Sequence, residues 1–178
     1  MGFHHVAIAV SDLAATHRFY TDAMGFRLVH VEAGESGEPS SWFRHVLYDT
    51  GDGSLLAFFE LHDDRYADLD LGISTGLGLP PWVNHIAYTA VDLDALDLAR
   101  DRWLASGLDV ARMDHGLSIS IYTNDPDGNL VEWCCWTAEL TDEHAHRAEH
   151  LLRDPAPPRN DVPDVEFFLA ADFASAHR

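Results

Sequence analysis

Basic side chains are scarce in this chain. Eleven lysines and arginines stand against thirty aspartates and glutamates, a formal charge of −19 over 178 residues. Nucleic acid and anionic membrane both require a cationic face, so neither is expected as a partner. Cysteine is also sparse: the two present, Cys134 and Cys135, are neighbours in one predicted strand, point to opposite faces and are unsuited to bridging each other. That usage suits a reducing, cytoplasmic compartment. No run reaches the roughly 18 to 20 apolar residues of a membrane span, and the N-terminus enters a strand without the basic and apolar regions of a leader.

What is present is length enough for one core, and a repeat. The stretch from His5 to Leu13, HVAIAVSDL, lines up with HIAYTAVDL from His85 to Leu93 at an offset of 80 residues. Each copy leads into a helical pattern, 11–24 and 92–106, closed by Gly25 or Gly107 at the position after the helix. Ser11 is the expected N-cap of the first helix, with Leu13, Tyr20 and Met24 on its buried stripe; Leu93, Leu96, Ala99 and Trp103 form that of the second. Three strands follow in each half, about 26–32, 42–49 and 54–61, then 108–113, 117–124 and 129–136. The expected organisation is therefore one α+β domain over 1–140, made of two βαβββ modules (about 1–61 and 82–140). Residues 62–81 form a glycine- and proline-punctuated linker between them. A tail over 141–178 reads as a polar helix capped by Thr141, a proline-rich breaker and an apolar segment, VEFFLAADF, expected to pack on its own domain or on a second subunit of a homodimer. His146 and His150 are spaced i, i+4 on the tail helix, a pattern that is ordinarily just solvated.

Strand parity points to chemistry. His5 shares its strand face with Ala7 and Ala9, and His85 shares its face with Ala87 and Thr89, whereas a core face would carry bulky residues. Small neighbours leave room for something other than protein. His4 faces the other way and reads as structural. The last strand of each module carries one carboxylate among apolar residues, Glu60 in LLAFFEL and Glu132 in NLVEWC. A buried ionised carboxylate costs several kcal/mol unless paired or ligated. Two histidines and two glutamates form a donor set suited to Fe²⁺, Mn²⁺, Zn²⁺, Ni²⁺ or Co²⁺, and the two carboxylates would balance the dication. No organic cofactor motif is present.

On these residues, HHVAIAV, FFEL, NHIAY and DPDGNLVEW, the chain resembles the vicinal oxygen chelate superfamily over residues 3–136. That superfamily comprises glyoxalase I, extradiol dioxygenases, fosfomycin-resistance transferases, methylmalonyl-CoA epimerases and bleomycin-binding proteins. The resemblance implies paired modules forming a curved, cup-like mixed sheet. It also implies a divalent metal held by His5, Glu60, His85 and Glu132, and a small substrate that chelates the metal through neighbouring oxygens.

Which chemistry follows is left open by the residues. His115, Ile121-Tyr122, the turn Asp125-Pro126-Asp127-Gly128 and Glu132 resemble the extradiol signature, which implies iron on His5, His85 and Glu132, with His115 and Tyr122 as catalytic residues acting on a catechol-type aromatic. A fourth ligand, Glu60, would instead resemble glyoxalase I and imply a lyase or isomerase that stabilises an enediolate. A non-catalytic antibiotic-binding protein is the third expectation, and the acidic charge fits it. Phe58, Trp82 and Trp133 either line an aromatic pocket or belong to the core.

Overall fold

The computed structural model describes residues 3–176. Strand β1 (His5–Val10) leads to helix α1 (Leu13–Arg18), which continues as one π-helical turn over Phe19–Ala23. Strands β2 (Arg27–Glu35), β3 (Trp42–Asp49) and β4 (Leu55–His62) complete the first module. The second runs through β5 (His85–Thr89), α2 (Leu93–Ala105), β6 (Val110–Asp114), β7 (Ser118–Asn124) and β8 (Leu130–Trp136). The tail supplies α3 (Asp142–Arg153), a further strand β9 (Val165–Phe168) and α4 (Ala170–Ala176).

Two open mixed sheets result, one ordered β1-β4-β3-β2 and the other β5-β8-β7-β6-β9. In each module the first strand pairs in parallel with the last, and the other pairs are antiparallel. Each sheet has a helix face and an open face. The helix faces share one core: Val46, Tyr48, Leu56 and Phe58 from the first sheet meet Tyr20 and Met24, while Val110, Ile121, Val131 and Cys135 from the second meet Leu96 and Trp103. The modules lock where Trp103 donates its indole N–H to Met24 Sδ at 3.3 Å and Arg102 donates to the Met24 carbonyl at 3.2 Å. Gly25 is required there by its φ of +78°, and a Cβ would in addition displace the Arg102 guanidinium from its bond to the Met24 carbonyl.

Two local expectations are corrected. The N-cap of α1 is Asp12, whose carboxylate accepts from the Ala15 N–H, because Ser11 is drawn away to Asp127 in the second module. Leu93 is 41% exposed at the start of α2, one turn before the buried stripe begins at Leu96. The linker contains two 3₁₀ turns, Asp64–Tyr66 and Thr75–Leu77. Thr141 does cap α3, in a reciprocal arrangement with His144. The apolar tail folds onto the chain itself: β9 extends the second sheet beside β6, and Phe168 and Phe173 join the core. Among the described residues both cysteines are free, and no helix is long and apolar enough to cross a membrane.

Candidate functional site

The open face of the second sheet collects the polar side chains. In the parallel pair β5–β8, Ala87 stands beside Glu132, which places His85 on the same face one residue pair away. His85 Nε2 lies 3.0 Å from Glu132 Oε2, and Ser120 donates its hydroxyl to Glu132 Oε1 at 2.5 Å. The carboxylate is nearly buried, at 6% exposure, so both contacts offset a desolvation cost of several kcal/mol. His85 Nδ1 donates to the Trp82 carbonyl at 3.1 Å, which turns Nε2 towards the carboxylate. A lone pair facing an anion at that distance requires a proton or a cation between them.

Tyr122 is the cross-strand neighbour of Glu132 on β7. Burial pushes its phenol up to about 12, and the negative charge of Glu132 adds to the rise. It therefore stays protonated at neutral pH, and its hydroxyl is 2.9 Å from His115 Nε2 in the β6–β7 turn. The row His115–Tyr122–Glu132–His85 is thus continuous. It is aimed by the turn after β7, where the buried Asp125 accepts from the backbone N–H groups of Asp127 and Asn129, from the Asn129 amide and from the Tyr20 hydroxyl. Burial raises the Asp125 carboxyl in spite of those bonds. Asn129 in turn accepts from the Ile73 N–H at 2.7 Å, so the linker is tied to the same turn.

The first sheet places its two predicted ligands differently. His5 lies on the exposed edge strand β1, with its Nδ1 2.7 Å from His4 Nδ1. Glu60 pairs with Val10 and Arg44, on the helix face, whereas His5 shares the open face with Ala7 and Ala57. Its carboxylate is engaged by His62 at 2.8 Å and Arg44 at 3.2 Å. The repeat equivalence expected between Glu60 and Glu132 is therefore corrected: the register partner of Glu132 is Ala57, each four residues past its turn glycine, Gly53 or Gly128. That spacing was the available signal. Among the described residues no three His, Cys, Asp or Glu side chains converge to hold a metal ion, and His85 with Glu132 is an imidazole–carboxylate pair of fitting donor chemistry whose carboxylate is buried.

A family model described as the glyoxalase/bleomycin resistance protein/dioxygenase superfamily matches residues 2–133. The chain belongs to this superfamily. Among curated members it is 31% identical over 130 residues to a probable lactoylglutathione lyase of Synechocystis sp., covering 72% of this chain and 90% of that one. It is 27% identical over 143 residues to 3-methylcatechol 2,3-dioxygenase of Pseudomonas putida, covering 79% of this chain and 44% of the dioxygenase. The chain thus spans less than half the length of that enzyme. Solved superfamily structures share the fold: a domain from Frankia sp. at TM-score 0.56 and 18% identity, over 76% of this chain and 98% of that one. The fosfomycin resistance protein FosX of Mesorhizobium loti superposes at TM-score 0.54 and 25% identity, over 81% and 97%. The superfamily match ends before α3, β9 and α4.

Proposed function

We propose that the protein is a divalent-metal enzyme that opens the ring of a catechol-type aromatic next to its two hydroxyl groups, with both atoms of O₂ entering the product and no external reductant consumed. The observation that carries this reading is the row His115–Tyr122–Glu132–His85 on one open sheet face. His85 and Glu132 would hold the metal, with Fe²⁺ favoured over Mn²⁺, Ni²⁺, Zn²⁺ or Co²⁺, and in a homodimer His5 of a second copy would be the third donor. With Ala57 at the position that repeats Glu132 no second carboxylate is supplied there, and His85, Glu132 and one further imidazole would suit iron and O₂ chemistry better than a four-ligand set. The bound metal would draw the two diol oxygens together and lower their proton affinity. His115, held by the Tyr122 hydroxyl, is the base that would accept a proton from the diol. Tyr122, protonated up to about 12, keeps its O–H as a fixed donor and leaves its oxygen lone pairs to the substrate.

A lyase or isomerase acting on a small α-hydroxycarbonyl thioester precursor is the second reading, favoured by the near-complete length match to the probable lactoylglutathione lyase. Purified protein is incubated with Fe²⁺ and 3-methylcatechol under air, and oxygen uptake is followed with the yellow ring-cleavage product. Uptake with colour is expected. Absence of both, together with consumption of the methylglyoxal–glutathione hemithioacetal in the presence of Ni²⁺ or Zn²⁺, overturns the first reading in favour of the second.

A further inference from the structure

We infer that a crevice between the two modules, behind the sheet face that carries Glu132, binds the anion of a small carboxylic acid with an apolar chain, its carboxylate held by Arg102. The inference does not depend on the reaction proposed above. On β8, Trp133 follows Glu132 and faces the opposite way, into the space between α2 and the turn that joins β3 to β4. A cavity of about 350 Å³ lies there, at the low end of the roughly 300 to 1,000 Å³ of small-ligand sites. Its apolar lining includes Phe26 just after the first helix, Trp133 from the second sheet, and Ala95, Leu98 and Ala99 from one face of α2. Arg102, one helical turn beyond Leu98, is its charged lining residue, and no acid lines it among the described residues.

An arginine without a carboxylate stands out in a chain of thirty acids and eleven bases. Arg27, Arg44, Arg65, Arg100 and Arg153 are each paired with an aspartate or glutamate. Arg102 donates one N–H to the Met24 carbonyl at 3.2 Å, and among the described residues no carboxylate meets the rest of its five donors. The acids nearest to it along α2, Asp97 and Asp101, are both held by Arg100 at 2.8 Å. Its neighbours on the helix surface, Leu98, Ala99, Ala105 and Ser106, bring no acid either. Met24 and Gly25, against which the guanidinium lies, also line the cavity, so the charge sits at its wall.

The space continues away from that charge. Thr50, Thr89, Val91 and Trp133 are shared with a second cavity of about 600 Å³, whose mostly apolar lining includes Val6, Leu55 and Ile86. Its one lining carboxylate, Asp52, is engaged by the Thr50 hydroxyl and the Ser54 N–H of its own turn. Val91 and Leu98 are left 85% and 68% exposed along the crevice, apolar surface that an acyl or aryl chain would cover. A guanidinium at one end and an apolar run leading from it match a carboxylate head with an apolar body, since a carboxylate accepts two parallel N–H bonds from the guanidinium fork. The net negative charge repels anions at long range, but screening over about 8 Å at physiological ionic strength leaves the choice to the local arginine.

The test is isothermal titration calorimetry of the full chain, metal-free, with octanoate, decanoate and the neutral octanamide. Octanoate is expected to bind at least tenfold more tightly than octanamide, and decanoate about tenfold more tightly than octanoate, from two further buried methylenes. Arg102→Met keeps the apolar stem and removes the charge, and is expected to bring octanoate level with octanamide. Leu98→Glu keeps the arginine but occupies it through an i,i+4 ion pair that favours the helix, so it is expected to weaken octanoate about tenfold while the melting temperature holds or rises. The proposal is overturned if the wild type binds octanoate no more tightly than octanamide, which would mark a merely apolar surface. It is equally overturned if both variants, folded by circular dichroism, bind octanoate within twofold of the wild type. Should Arg102→Met fail to fold, Leu98→Glu decides by the same twofold limit. Loss or retention of ring cleavage bears on Glu132 and leaves this site standing.

Discussion

The two modules superpose in register and differ in chemistry. Across the open face of the first sheet the central row reads Ala7, Ala57, Leu47, His30; across the second it reads Ala87, Glu132, Tyr122, Ala111, Phe167. Where the second sheet has Ser120 donating to Glu132, the first has His45, its Nδ1 2.8 Å from Glu32 and its ring stacked on Phe59 at 4.0 Å. A parallel β1–β4 or β5–β8 pair requires only alternation and small residues at the crossing, and both modules supply these. A buried carboxylate also needs partners in place, and the second module provides them at Glu132. The repeat therefore fixes where a site can be, and the neighbouring strands decide in which half it is.

The comparison breaks most visibly at Glu132. Glu132→Ala is expected to reduce turnover by more than the roughly 100-fold typical of losing a ligand's supporting partner, and to reduce the metal content measured after dialysis. If Glu60→Ala does the same damage, the assignment of the site to the second sheet fails. Next in size, His115→Ala or Tyr122→Phe should each lower kcat by about 100-fold, as loss of a positioned proton-transfer group does. Steady-state oxygen uptake with metal content held constant checks this. The comparison can also be sharpened by transplanting the carboxylate. Ala57→Glu buries a charge at a 0% exposed position whose neighbouring histidines are already engaged, His45 with Glu32 and His5 with His4, and urea unfolding should show a loss of about 3 kcal/mol. Glu60→Gln, by contrast, disturbs a partly exposed pair with Arg44 and His62 and should cost about 1 kcal/mol or less, with turnover unaffected.

The smallest effect lies in alkaline pH. Tyr122 is raised to about 12, mainly by burial, and burial raises Tyr20 and Tyr88 as well. A phenol raised in the native state resists ionising there, so its stabilisation is complete below the unfolded value near 10 and is lost as pH rises from about 10 towards 12. The melting temperature should fall over that window, and Tyr122→Phe, with Leu47 as its counterpart in the first module, should flatten part of the fall. A fall of equal steepness in the variant removes Tyr122 from the account.

Much of this was legible without the structure, because it depends on neighbours in sequence. The HVAIAV and HIAYT repeat, the alternation that isolates His5 and His85 among small residues, the glycines at the helix ends and turns, and the apolar setting of Glu132 all follow from local periodicity. The proximity of His115 to Tyr122 follows from their short hairpin. Glu60 shows where local reading stops. It sits in an apolar strand as Glu132 does, but three residues past Ala57, an odd step that turns it to the helix face, and only the pairing of β4 with β1 and β3 decides which face that is. The tail shows the same limit at longer range. VEFFLAADF is visibly too apolar to be free, yet its two phenylalanines are distinguished only by pairing with β6, more than fifty residues earlier, which sends Phe168 to the core and Phe167 to the open face. Sequence by itself determined the modules, their strands and the residues capable of chemistry, since these rest on spacing along the chain. Tertiary structure alone decided which of those residues meet, because register and sheet order are set by packing between segments far apart in the chain, and a shift of one residue reverses every face.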